Sequence, residues 1–191
     1  MSKRLSGKAA LVTGGSRGIG AAIAKRLAAD GANVAITYAA NKQAADKVVA
    51  ELKAVGSQAF AIQANAADPQ EAADAVRQVV EQYGGIDILV HNAGVAGFAP
   101  LPEADFSDYR RQFAVNVDGV FVGTRAAVDR IRDGGRIIVI GSVNAHWMPM
   151  AGGAIYGATK AAVAGLVRGW ARDLGPRTWS MSYSQAPSTP T

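Results

Sequence analysis

At 191 residues the chain fits one domain, and 49% hydrophobic residues with 22 glycines suit a buried α/β core with many tight turns. Cysteine is absent, which excludes a disulfide framework and a thiolate metal site. The formal charge is +5, but the basic residues are scattered among acids, so a solvated surface is expected rather than a nucleic-acid face. No apolar run reaches about 18 residues and no basic-then-apolar leader opens the chain, so a soluble, cytoplasmic protein without a membrane partner is expected.

After a polar lead-in, 9–12 is a short apolar run with the character of a buried strand. It breaks at Thr13-Gly14-Gly15-Ser16-Arg17-Gly18-Ile19-Gly20. A helical pattern follows, with Ile19, Ile23, Leu27 and Ala28 on one face and Gly31 as its stop; 34–38 is then a second strand. Strand, glycine turn, helix and strand make one βαβ unit, whose crossover is right-handed in nearly all proteins.

A second helix is expected from 41 or 42 to 55, with Ala45, Val48, Val49 and Leu52 as its apolar stripe and Gly56 as its end. Strand three covers 58–63. Asp68 as N-cap with Pro69 at the first helical position opens a helix to about Tyr83, burying Ala73, Val76, Val79 and Val80. Strand four is 86–90, followed by His91, Asn92, Ala93 and Gly94 and a loop over 95–103. One long helix is expected over 106–132, broken by Gly134-Gly135, then strand five over 136–140, a loop over 141–153 and a last helix over 155–173. Five apolar strands alternating with helices imply a parallel sheet covered on both faces. The tail from Arg177 onward, RTWSMSYSQAPSTPT, is rich in Ser, Thr and Pro and has no hydrophobic period.

The glycine turn has a physical task. Gly14 can take a backbone shape closed to other residues, and Gly18 and Gly20 let a pyrophosphate and the first strand come close. The helix N-terminus then offers N–H groups and a positive dipole end to phosphates. Farther along, Tyr156 and Lys160 stand at i and i+4 on one helix face. A phenol ionises near about pH 10, and a neighbouring ammonium favours its phenolate. Such a tyrosine can exchange a proton with a carbonyl or alcohol oxygen. Taken alone the pair is common on amphipathic helices. Ser142 and Asn92-Ala93-Gly94 follow strands five and four, at the carboxyl ends where open α/β sheets bind ligands. Asn116 is a polar residue in the apolar stretch FAVNVDGVF.

TGGSRGIG, NAG, Val115-Asn116, Gly141-Ser142 and YGATK together resemble the short-chain dehydrogenase/reductase family, in its 3-oxoacyl-carrier-protein reductase-like branch, over about residues 7–177. The resemblance implies a Rossmann-type doubly wound parallel sheet of strand order 3-2-1-4-5, with the family's strands six and seven missing. It implies a dinucleotide-binding domain over 1–177 and an aberrant tail over 178–191. It implies hydride transfer between a nicotinamide cofactor and a ketone or alcohol, the alternative being a nucleotide-binding protein with little turnover. Tyr156 is then the acid, Ser142 the substrate-holding hydroxyl, Lys160 the ribose ligand that tunes Tyr156, and Asn116 the support of a proton-relay water. The cofactor is held by Gly14, Ser16, Arg17, Gly18, Ile19, Gly20, Tyr38, Lys42, Asn65, Ala66, Asn92, Ala93 and Gly94, with Tyr156 and Lys160. No metal is required, and a homo-oligomer, dimer or tetramer, is implied.

The second strand ends Thr37-Tyr38-Ala39-Ala40 without an acid for a ribose 2′-hydroxyl, while Arg17 and Lys42 lie nearby; that pattern favours NADP(H) over NAD. Val95, Phe98, His146, Trp147 and Met148 form either an apolar pocket wall or an interface. With permitted codons the tail re-reads in another frame as DMVNVVQPGSIDTD, which resembles the family's sixth strand and Pro-Gly turn. A frameshift is therefore expected to underlie 178–191, leaving strand five as an exposed edge.

Overall fold

The computed structural model describes residues 3–175 and 180–186. Five apolar runs become parallel strands: β1 (Ala9–Val12), β2 (Asn33–Tyr38), β3 (Ala59–Gln63), β4 (Ile86–His91) and β5 (Ile131–Ser142). Their order, β3-β2-β1-β4-β5, is the expected one. Leu11 of the central strand stands opposite Ala35 on one side and Leu89 on the other. All four β1 residues are buried, so the strand has no polar face to produce an alternating pattern.

Helices α1 (Gly18–Ala29) and α2 (Lys42–Ala54) close over Val12, Val34 and Ile36 on one face. On the other face α3 (Pro69–Tyr83) and α5 (Gly119–Ala127) close over Leu11, Leu89 and Ile137. Helix α6 (Ala154–Leu174) packs Val163 and Val167 with Val120 of α5 and Val139 of β5. Each fully buried side chain such as Leu11 or Leu89 contributes about 1.5–3 kcal/mol. Asp68 caps α3 as expected, its Oδ1 accepting from the N–H groups of Gln70 (2.8 Å) and Glu71 (3.0 Å). Asn41 caps α2 through Ala44 N–H.

Below the site, at the amino ends of the strands, buried Asp87 joins three strands. It accepts from Ala9 N–H (2.8 Å), Lys8 Nζ (2.9 Å) and Arg132 Nη1 (2.6 Å). Burial alone would raise its pKa; the Ala9 amide and the two cations outweigh that and hold the carboxyl below its ordinary value.

The structure differs from the sequence expectations in five places. Ile19 is 51% exposed, because α1 approaches the sheet through Gly20, Ala21, Ala24 and Ala28, and small residues allow the closer packing. In α3 it is Ala75 rather than Ala73 that is fully buried. The long helix is three pieces: α4 (Phe106–Phe113), a π turn over Ala114–Asp118, and α5. Its expected last turn is instead the start of β5. Ile131 pairs with Ile86 and fills the core, and the register then shifts so that Ile88 faces Arg136.

The fifth difference concerns the tail. Ser180–Ala186 is a sixth strand, β6, parallel to β5 from Arg136 to Ser142. β5 is therefore not the bare edge that the missing hydrophobic period implied. An edge strand bonds its neighbour through backbone N–H and C=O groups, which any extended segment carries whatever its side chains. The proposed boundary at 177/178 lies outside the described residues.

Candidate active site

The site is built where β1, β2, β4 and β5 end. Thr13 Oγ1 accepts from the N–H groups of Asn92 and Ala93, both at 3.0 Å. Asn92 Nδ2 donates in return to the carbonyls of Thr13 (3.0 Å) and Gly14 (3.1 Å). Gly14 N–H donates to Thr37 Oγ1 at 3.0 Å. These bonds lace the glycine turn to the Asn92–Gly94 turn and to the end of β2. Gly14 has φ +63° and a Cβ there would lie 2.9 Å from Ala93 Cα, so both backbone shape and space demand glycine.

Between these turns runs a groove of about 630 Å³. The α1 side supplies Gly14, Ser16, Arg17, Gly18, Ile19 and Gly20. Tyr38, Asn65 and Ala66 line it at the β2–β3 end, and Asn92, Ala93 and Gly94 opposite. No side chain caps α1 and no acid sits in its first turn, so its leading N–H groups and dipole face the groove uncompensated. Lys42 does not line the groove; its ammonium pairs with Asp46 at 2.7 Å.

The second part of the site adjoins Gly94. Lys160 Nζ, buried, donates to Ile140 O at 2.9 Å and lies 5.8 Å from the Tyr156 ring centroid. Burial brings the Lys160 pKa down to about 8. A Cβ on Gly94 would sit 3.9 Å from that ammonium and 3.4 Å from Asn116 Oδ1, so groove and side-chain cluster meet there. Asn116 lies within the π turn, a distortion that recurs at functional sites. Its Oδ1 accepts from Val95 N–H (2.8 Å), and its Nδ2 donates to Val95 O (2.8 Å) and Thr159 Oγ1 (3.1 Å). Thr159 in turn donates to Tyr156 O at 2.7 Å. Ser142 ends β5, and its Oγ accepts from Asn144 N–H at 3.2 Å.

The structure links Asn116, Tyr156 and Lys160 through Thr159 and Gly94, and Ser142 lies two residues beyond Ile140, whose carbonyl accepts from Lys160. Sequence reasoning missed Thr13, Thr37 and Thr159, which hold the turns and the Asn116 amide. The signal for Thr159 was present: it lies between Tyr156 and Lys160 on the same helix, and a buried hydroxyl needs a partner. His91, by contrast, is a core residue; its Nε2 lies 3.0 Å from Thr124 Oγ1 and burial lowers its pKa to about 4.

The short chain dehydrogenase family pattern matches residues 8–182, nearly the whole described chain. The chain belongs to the short-chain dehydrogenase family. This dehydrogenase superposes with TM-score 0.94 on a short chain dehydrogenase from Burkholderia cenocepacia J2315 solved with NADP; the two are 50% identical, covering 95% of this chain and 74% of that one. It is 45% identical over 180 residues to a cyclic-di-GMP-binding biofilm dispersal mediator protein of Escherichia coli, covering 94% of this chain and 72% of the relative. It is 42% identical over 174 residues to versicolorin reductase 1 of Aspergillus parasiticus, covering 91% and 66%. The groove of the dehydrogenase fits a dinucleotide on its own chemistry: uncapped helix N–H groups face its phosphate end, and it is open along the ends of four strands.

Proposed function

We propose that this short-chain dehydrogenase is an oxidoreductase that transfers a hydride between NADP(H) and a ketone or alcohol, with Tyr156 as the proton donor in reduction. When bound, the nicotinamide supplies the hydride. Tyr156 gives its phenolic proton to the carbonyl oxygen as charge develops there, and Ser142 donates a hydrogen bond to the same oxygen. Lys160 binds the ribose and stabilises the phenolate left on Tyr156. Asn116 holds the Val95 backbone and the start of the proton path toward Lys160. The observation that carries the reading is the buried Lys160 ammonium, set between the Tyr156 ring and the groove at Gly94.

The 2′-phosphate preference rests on Arg17 at the groove wall and on the missing acid after β2. Assembly as a dimer or tetramer is supported by exposed Phe106, Tyr109 and Phe121 on α4 and α5. Ultracentrifugation at micromolar concentration checks it, a monomer counting against it. No helix among the described residues is long and apolar enough to cross a membrane.

The test of the reaction is Tyr156→Phe: NADPH oxidation with a panel of ketones is lost, while NADPH binding followed by fluorescence is kept. Retained turnover would remove Tyr156 from the role of acid. A second reading, nucleotide binding with little turnover, is favoured by the open substrate side, where Phe98, Leu101 and Trp147 are exposed beside a complete groove. The Escherichia coli relative is named for nucleotide binding. Tight NADPH binding without turnover of any ketone in the parent chain would select that reading.

A further inference from the structure

The segment 95–99 runs from the groove, which Val95 lines, to the Tyr156 ring, which Phe98 meets, and it is anchored at alternate residues. Both backbone polar groups of Val95 are bonded to the Asn116 side chain. Gly97 O accepts from Gln112 Nε2 at 3.3 Å. Ala99 N–H donates to Gly152 O at 3.1 Å. Residues 95, 97 and 99 are half-buried, while 96, 98 and 100 face outward. Phe98, 54% exposed, places its ring centroid 5.9 Å from that of Tyr156, at 53°.

The middle anchor is unusual. Gln112 is wholly inaccessible, yet its Oε1 has no hydrogen-bond partner among the described residues. An unpaired buried amide oxygen is unfavourable, and an apolar side chain of the same shape avoids it. What Gln112 offers that such a residue cannot is the Nε2 amide. Asp108 fixes which end of the amide is which: its Oδ2 accepts from Nε2 at 2.7 Å, and a carboxylate cannot donate in return. Arg111 Nε holds the other carboxylate oxygen at 3.1 Å. Arg111, then Gln112, keep the Asp108 carboxyl below its usual range, so it stays an acceptor at neutral pH. Gly97 lies directly on this pair; a Cβ there would collide with Asp108 Oδ2 and come within 2.8 Å of Gln112 Nε2.

We infer that Gln112 is a positioning residue for the reaction: its buried amide, oriented by Asp108, seats Gly97 so that Phe98 is held against Tyr156 and fixes one wall of the slot through which the carbonyl reaches the phenol. The inference rests on Tyr156 being the proton donor, but its test does not use turnover, so the two can fail separately.

The test compares the full chain with Gln112→Met and, independently, Gly97→Ala, which pushes on the same contact from the loop side. Three readouts are taken: hydrogen exchange of peptides spanning 96–101, fluorine NMR of 4-fluorophenylalanine placed at position 98, and the thermal unfolding midpoint. In both variants exchange over 96–101 rises about tenfold, the free-energy equivalent of one lost tether. The fluorine line moves toward that of the free amino acid. In Gln112→Met the midpoint holds or rises, since the unpaired oxygen is gone. Unchanged exchange and an unmoved fluorine line in either variant overturn the inference. So does a fallen midpoint in Gln112→Met with exchange rising equally along α4, which would make Gln112 a plain packing residue.

Discussion

Lys160 Nζ lies 2.9 Å from the Ile140 carbonyl oxygen, so the carboxyl end of β5 positions the ammonium that the Tyr156 helix carries. That carbonyl is neutral, and burial therefore dominates the titration of Lys160. The same buried charge that serves the site weakens the fold around it.

Lys160→Met should accordingly stabilise the free protein at neutral pH. The folded pKa is about 8 against an ordinary 10.5. Below about 8 both folded and unfolded chains carry the proton, and the burial penalty is complete. Between the two values the unfolded chain binds more protons, so stability rises with pH across that window, by roughly 3 kcal/mol. Loss of the bond to Ile140 offsets about 1 kcal/mol. Urea unfolding at pH 7 and at the upper end of the window checks this. A difference between variant and parent that is constant in pH would mean Lys160 is not buried as a charge.

Arg17→Ala should weaken NADPH by roughly 10- to 100-fold, the value of a charged hydrogen bond, and NADH little. Titration by cofactor fluorescence compares the two. Equal weakening would place Arg17 away from the 2′-phosphate.

Asp87→Asn tests the tie at the amino ends of the strands. The amide keeps an acceptor for Ala9 N–H but loses the charge facing Lys8 and Arg132. Those two side chains are 47% and 37% exposed, which screens the attraction, so a loss of about 1 kcal/mol is expected at pH 7. The Asp87 pKa is depressed in the folded state, so its contribution is full above the unfolded value and fades as pH falls through the folded one. Parent and variant should converge in acid; a gap that persists there would trace the effect to packing.

Ending the chain at Gly175 removes β6 and exposes the Arg136–Ser142 edge of β5, whose IIVI run is apolar and uncharged. Such a chain should pellet at concentrations where the 191-residue chain stays in solution. Equal solubility would show that β6 does not cover the edge in solution. Replacing 178–191 with DMVNVVQPGSIDTD and a family-like continuation is expected to raise turnover, because a nicotinamide misplaced by about 1 Å can lose roughly a hundredfold in rate. The coding DNA decides the frameshift proposal separately: a base string that cannot yield that peptide in another frame rules it out.

The order of the first five strands, the glycine turn and the helix face shared by Tyr156 and Lys160 were legible because each depends on local spacing. A run buried on both faces needs only continuous apolar residues, and Tyr156 and Lys160 share a face because four residues are about one helical turn. The cap at Asp68 is local in the same way. What the tertiary structure alone decided is how polar groups distant in the chain are satisfied. Asn116 finds Val95 and Thr159, Gln112 finds Gly97, and the π turn that interrupts the expected long helix carries the first of these. Ile19 is outside because α1 needs small residues to approach the sheet, which an apolar count does not reveal. Ser180–Ala186 is a strand although its side chains show no strand pattern, because β5 offers a row of backbone donors and acceptors and the pairing is between backbones. Periodicity states which face of an element is apolar; which partner meets that face, and which buried donor meets which acceptor, is settled only when the chain closes on itself.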